Sequence, residues 1–405
     1  MPHLHGVIRL RGRRTFDVEY YLQDHGRELE HLEISQRAPI GSGRNNWDIA
    51  IAVNQRSLEL LASARPLRAG HSFANQKRQI PILEVLAVPP KAVSLYALLT
   101  PPTVGRQVVE AHHEALEGAL RYFELHGLAT NQRDETLSRV TELAGVRFTH
   151  GISRSGDPHL HSHLVLANLG RSVEGRFGAL DRRGLHAHLS AASAIYDAGV
   201  LGSCKQLGLD LDLEPREIAA FSTRAAEVRG HRASGSRYPA RTEKAQGVDR
   251  QQLLLQWGRR AASLDVDLER FTSASIALQP VPRRLDEEQF VRRLLGDDRP
   301  VTRRKVVEAW AWASSGQDVQ KLERNIDAVA GPQTRIFEAE IAPRTVVASP
   351  LAIGALGPRP LEPERLMRWI DRAAGLEHAS SAHQKRDRSL RDRSRDRSFD
   401  HGLER

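Results

Sequence analysis

The segment Val146 to Leu169, VRFTHGISRSGDPHLHSHLVLANL, restricts the fold more than any other part of the chain. It holds two β-prone runs: Val146-Arg147-Phe148 leading to His150, and Leu164-Val165-Leu166-Ala167 preceded by His161 and His163. Between them lies Ser153-Arg154-Ser155-Gly156-Asp157-Pro158, a strong turn signal. Residues two apart on a strand share a face, so His161 and His163 point to the same side. In an antiparallel hairpin, His150 faces His161 when the centre is at 155.5, and His163 when it is at 156.5. Both centres fall within Ser155-Gly156-Asp157, so the turn chemistry and a three-imidazole cluster ask for compatible registers. Three neutral imidazoles on one sheet face make a site for a divalent metal with open positions. His159 shares their parity but follows Pro158, and reads as a turn residue or supporting group rather than a fourth ligand. The plainer alternative is a polar sheet edge with incidental histidines. Three-histidine sites serve hydrolases, isomerases and oxygenases alike, so the metal does not fix the reaction.

The first 215 residues mix strands and helices: Gly6 to Leu10 and Ile80 to Val88 read as strands, Phe16 to Leu32 and Val108 to Leu125 as helices. The expected fold is α+β, a central antiparallel sheet carrying the three-histidine site and flanked by helices, followed by a helical segment and a basic tail. Glu214 to Glu308 is strongly charged and mostly helical in pattern, and Val301 to Ala330 carries two further helix-like stretches. Proline, alanine and glycine dominate from about Gly331 to Pro363, and RDRS occurs three times near the end, from Arg386, Arg391 and Arg395. The expected organisation is a core over 1–230, a mainly helical extension over 231–330, a linker with a short helix over 331–383 and a disordered tail over 384–405.

Lys and Arg number 59 against 50 Asp and Glu, a formal charge of +9 with a pI near 10.0. Such a balance points weakly to a polyanionic partner, nucleic acid first, and part of it resides in the mixed-charge tail. A single cysteine, Cys204, excludes an internal disulfide and a cysteine-rich zinc site, and favours a reducing, cytoplasmic setting. The N-terminus lacks the apolar stretch of a signal peptide, and Ile80 to Val104 is broken by Glu84, Lys91 and several prolines, so no membrane insertion is expected. No GxxxxGK[ST] occurs, so ATP is not an expected cofactor.

A metal beside a tyrosine suits transesterification of a phosphodiester, because the ion offsets charge on the phosphoryl oxygen while the phenolate attacks phosphorus. Tyr20 and Tyr21 lie together on the expected helix Phe16 to Leu32, where two ordinary packing aromatics are the plain alternative. This pair, Val88-Pro89-Pro90-Lys91-Ala92-Val93-Ser94-Leu95, Phe148-Thr149-His150, the run Ser153 to Asn168, Gly178 to Asp181, Tyr196 and Phe221-Ser222 follow one another in an order that resembles the MobF-class conjugative relaxases, the TrwC/TraI type of the HUH endonucleases. The resemblance spans roughly residues 1 to 310. It implies that Tyr20, with Tyr21 as the alternative nucleophile, attacks one DNA strand at an origin of transfer, leaving a 5'-phosphotyrosyl link and a 3'-hydroxyl that can reverse the step. His150, His161 and His163 would hold a divalent metal (Mg, Mn, Zn or Ni).

Glu84 stands where the family has an aspartate seven residues before the motif lysine, here Lys91, and would orient a ligand histidine or accept the tyrosine proton. Lys91, Arg154, Arg171 and Arg176 flank the motifs as candidate phosphate contacts. The second tyrosine pair frequent in the family is missing from Gln23 to Glu30, which weakens a two-tyrosine scheme, and no helicase activity is expected. The implied partners are single-stranded DNA at the origin, relaxosome accessory proteins and type IV secretion coupling proteins. The implied setting is the bacterial cytoplasm, with translocation alongside the DNA left open. Three alternatives remain: a replication initiator or transposase of the HUH superfamily, a catalytically degenerate DNA-binding homologue, and an unrelated three-histidine enzyme acting on a small molecule.

Overall fold

Alternating apolar positions assemble five antiparallel strands in the order β1-β3-β7-β6-β2: β1 (Val7–Arg13), β2 (Arg37–Ile40), β3 (Ile82–Val88), β6 (Gly145–Ile152) and β7 (Pro158–Ala167). This computed structural model describes residues 7–13, 18, 27–43, 53–63, 80–131, 137–153, 155–173, 175–222, 249–278, 307–309 and 311–312. A second sheet, ordered β4-β5-β8-β9, comprises β4 (Ala129–Asn131), β5 (Leu137–Glu142), β8 (Gly170–Ser172) and β9 (Phe177–Gly178). The α+β expectation with a central antiparallel sheet is met. The expected tail and linker lie outside the described residues.

β7 is the middle strand, and its burial explains its sequence. From Pro158 to His163 burial alternates, whereas Leu164 to Ala167 are all buried. At the apolar end, α1 (Gln55–Ser63) covers one face: Leu58 and Leu61 pack on Val146, Phe148, Val165 and Ala167. The opposite face lies under α3 (Pro102–Tyr122) and α4 (Arg182–Gln206); Ile8 N donates to Ser193 Oγ of α4 at 3.3 Å. The alternating half of β7 thus keeps one face less covered, and that is where His161 and His163 stand.

Most expected elements are present with shifted ends. The helix expected over Val108 to Leu125 begins at Pro102, because proline is tolerated in a first turn where its missing N–H has no partner to lose. It ends in a π-helical turn, Phe123–Gly127. Of the helix expected over Phe16 to Leu32, Arg27–Leu32 is 3-10 rather than α, and Val18 is helical; the rest lies outside the described residues. α2 (Lys91–Leu99) follows β3, and α5 (Pro215–Ala220), α6 (Arg250–Ser263) and α7 (Glu269–Thr272) bear out the helical pattern after Glu214.

The chain divides into two compact units, Met1–Leu285 with Ala311–Gln317, and Asp286–Trp310 with Asp318–Arg405. The boundary expected at residue 230 therefore falls inside the first unit, and α6 belongs to it. Of the second unit, the helical residues Val307 to Ala309 are described.

Candidate active site

The turn after β6 sets the register of the histidine hairpin. Gly156 adopts φ +75°, a left-handed conformation that glycine takes without a Cβ clash. Gly156 N donates to Ser153 O at 3.0 Å, and Ser153 N to Asp157 O at 2.9 Å. His150 then pairs with His161 and Phe148 with His163, which is the 155.5 centre. A bulge between His150 and Ile152 brings Ile152 opposite Pro158. His150, His161 and His163 share a face, with ring centres 5.2 Å (150–161), 5.6 Å (150–163) and 5.2 Å (161–163) apart. His159 is a strand residue rather than a turn residue, since pairing starts at Pro158, and its ring lies 5.0 Å from that of His161.

Hydrogen bonds choose the tautomers. His161 Nδ1 lies 2.8 Å from His159 O, and His163 Nδ1 lies 2.6 Å from Glu84 Oε1. A carbonyl and a carboxylate accept only, so both Nδ1 atoms carry the proton, and in a neutral ring the lone pair sits on Nε2. Burial holds the His161 pKa well below its ordinary value, and the neighbouring His159, His150 and His163 push the same way, so this ring stays neutral. Glu84, 3 % exposed on β3, sits one strand over from His163. As the side chains stand, no group of three or more His, Cys, Asp and Glu among the described residues is disposed to hold a metal ion.

On the other face the same two strands present Thr149 and Ser162, bonded to each other at 2.9 Å. Ser162 Oγ meets His112 Nε2 at 2.7 Å, His112 Nδ1 meets Tyr196 Oη at 2.8 Å, and Thr149 Oγ1 meets His113 Nε2 at 2.9 Å. Burial first, then the charge of Arg147, brings His112 down to about 3 and His113 to about 2. This buried chain ties α3 and α4 to the back of the histidine hairpin. Tyr196, one of the motif residues, is fully buried in it.

The expected cations fare differently. Lys91 is 8 % exposed, and its Nζ donates to Pro158 O at 2.5 Å, so the ammonium is an internal tie and not a surface phosphate contact; burial lowers it to about 8. Arg171 and Arg176 lie on or beside β8 of the second sheet, not on the strands that carry the histidines, and Arg171 pairs with Glu142 at 2.8 Å. Tyr20, Tyr21 and Arg154 lie outside the described residues.

Two cations escaped the sequence reading. Arg9 and Arg11 are exposed on edge strand β1, and the register Arg9↔Leu86↔His163 puts them on the histidine face, with Arg11 opposite Glu84. Their signal was present in the alternation Ile8-Arg9-Leu10-Arg11.

A sequence model of the TrwC relaxase matches residues 11–264. The multifunctional conjugation protein TraI of Escherichia coli is 34% identical over 83 residues, 20% of this chain, so the match spans 4% of TraI's length. Among solved structures, the conjugative relaxase TrwC in complex with oriT DNA, in a copper-bound and a metal-bound form, superposes at TM-score 0.56 with 20% identity, covering 65% of this chain and 100% of that one. A metal-free form of the same complex gives 0.54. The family match extends over more than half of the residues, includes the histidine hairpin, Glu84 and Lys91, and agrees with the fold: this chain belongs to the TrwC relaxase family.

Proposed function

We propose that the chain nicks and rejoins one DNA strand at an origin of transfer through a tyrosine–phosphate intermediate, using a metal held by His150, His161 and His163. The observation that carries this reading is the pair of fixed tautomers. His161 and His163 each commit Nδ1–H to a protein acceptor, His159 O and Glu84, which in a neutral ring puts the lone pair on Nε2, the nitrogen that would face a metal. Metal-binding histidines characteristically donate their other N–H in this way.

Imidazoles bound tetrahedrally to one ion at about 2.1 Å have ring centres roughly 5 Å apart, close to the 5.2–5.6 Å found. Bringing the three nitrogens onto one point requires the rings to turn about χ2, a soft torsion. Mg, Mn, Zn and Ni all remain candidates, with imidazole favouring the last two. A divalent ion bound there would supply charge stabilisation at a non-bridging phosphoryl oxygen.

The chain's own groups do the rest. Tyr20 Oη loses its proton and forms a bond to phosphorus as the bond from phosphorus to the 3' oxygen breaks, the departing oxygen takes up a proton in exchange, and the freed 3'-hydroxyl reverses the step when it attacks in turn. Tyr21 is the alternative nucleophile. Glu84 is buried and engaged with His163, which supports the orienting role over that of tyrosine base. Arg9 and Arg11, exposed on the same face, are suited to hold backbone phosphates of the single strand. Accessory and coupling proteins, and passage with the DNA, belong to the same proposal through family membership alone.

The test is mass spectrometry of the covalent adduct with an oligonucleotide carrying the cognate origin. The adduct maps to Tyr20 and disappears in Tyr20→Phe. An adduct undiminished in both the Tyr20→Phe and Tyr21→Phe variants would overturn the proposal.

A further inference from the structure

The sequence allows two hairpin centres with the histidines on one face, and the turn chemistry does not choose between them. Two residues of the turn and the first residue of β7 are gripped from outside the hairpin. Trp257 Nε1 donates to Gly156 O at 2.8 Å, Arg260 Nη2 to Asp157 Oδ1 at 2.7 Å, and Lys91 Nζ to Pro158 O at 2.5 Å. Trp257 is 2 % exposed and Asp157 4 %, so the Trp257 bond and the acceptor side of the Arg260 bond are shielded from competing water, while the Arg260 side chain itself is 33 % exposed. Leu253, Trp257 and Arg260 recur at the spacing of one helical face, and Leu253 Cδ2 would lie 3.8 Å from a Cβ placed on Gly156. α6 is in turn tied to α2, where Arg250 Nη2 donates to Leu98 O at 3.4 Å. From α2, Ser94 Oγ accepts from Leu160 N at 3.1 Å, next to His161. A helix about 100 residues further along the chain therefore fixes the turn from which both histidine strands depart.

We propose that α6 is the positioning element of the histidine hairpin, with Trp257 and Arg260 as positioning residues that hold the centre at 155.5 and keep His150 opposite His161. The inference rests on the metal reading above. Neither residue touches the reacting atoms. Loosening the turn lets His150 drift relative to β7, and the three nitrogens then converge less often.

The experiment uses the full chain, with Mn²⁺ alone as probe in titration calorimetry and hydrogen exchange at the amides of residues 151–163 as a metal-independent readout. Trp257→Phe keeps an aromatic ring and loses the donor; Arg260→Met removes one partner of Asp157. Each is expected to weaken Mn²⁺ binding about tenfold, the low end for loss of a supporting group, and to speed hairpin exchange while the circular dichroism spectrum is unchanged. Arg260→Lys restores part of the affinity. Ile195→Val, a buried change in α4, lowers stability without altering either readout, which separates positioning from general destabilisation.

Wild-type affinity and hairpin protection retained in Trp257→Phe and Arg260→Met would overturn the inference. If Arg260→Met does not fold, Trp257→Phe decides alone. A wild-type chain that binds no Mn²⁺ counts against the metal reading instead, and exchange in Trp257→Phe still decides whether α6 holds the turn.

Discussion

The two faces of the β6–β7 hairpin hold histidines in opposite ways. On the back, His112 projects from α3, uses both ring nitrogens, one on Tyr196 of α4 and one on Ser162, and is fully buried. On the front, His161 and His163 have Nδ1 tied to His159 O and Glu84, which directs the lone pair of a neutral ring to Nε2. Residues that differ by one position along a strand, Ser162 against His161 and His163, thus belong to a packing network or to a candidate site. A histidine's role is set less by its burial than by what holds its second nitrogen.

The widest separation between the faces is expected from removing a ligand. His161→Ala should reduce adduct formation by more than about 100-fold, the scale expected when metal catalysis is lost, while leaving the fold intact. Quantified adduct yield at saturating oligonucleotide checks it. Next, Glu84→Gln keeps the shape but weakens the acceptor for His163 Nδ1, and metal affinity should fall about 10- to 100-fold; Glu84→Asp, the residue typical of the family, should retain most of it. Calorimetric titration with Mn²⁺ or Zn²⁺ distinguishes the two.

On the back face the effect moves from metal to stability. His112→Ala takes one hydrogen bond from each of the Ser162 and Tyr196 hydroxyls and opens a cavity, a loss of about 3 kcal/mol in denaturant unfolding, with metal affinity nearly unchanged in the folded protein. The same histidine gives a pH signature. Its pKa is held near 3, below the ordinary 6.5, so the unfolded chain takes up a proton first as pH falls. Its contribution to stability is full above pH 6.5 and declines by up to about 1.4 kcal/mol per pH unit below it, until the folded state protonates near pH 3. His112→Gln should remove that share of the slope and leave the one His113 contributes. The smallest effect is at the sheet edge: Arg9→Ala or Arg11→Ala should each lower the salt-dependence slope of single-strand binding by about 0.7, with Arg171→Ala as a neutral comparison.

Local chemistry made the hairpin legible. Gly156 at the turn and alternating His161 and His163 led to the hairpin and narrowed its centre to two positions, of which 155.5 is observed, since both signals act over a few residues. Glu84 was legible only through the family resemblance, because its partner His163 is 79 residues away. Lys91 misled: next to a motif it looked like a phosphate contact, yet packing carries its side chain inward to Pro158 O, which no local pattern encodes. Of the two readings of His159, the supporting group holds, since its carbonyl accepts from His161 Nδ1, whereas the turn residue does not, because proline can open a strand where its missing N–H is not needed. The domain boundary near 230 ignored the stripe Leu253, Trp257 and Arg260, which reaches the hairpin turn about 100 residues earlier in the chain.

The central claim is that the front-face histidines, and not those behind them, bind the metal. X-ray absorption on the Zn²⁺-loaded full chain counts imidazole ligands directly. Three are expected in the wild type, two in His161→Ala and three in His112→Gln. Fewer than three in the wild type, or an unchanged count in His161→Ala, would contradict the account.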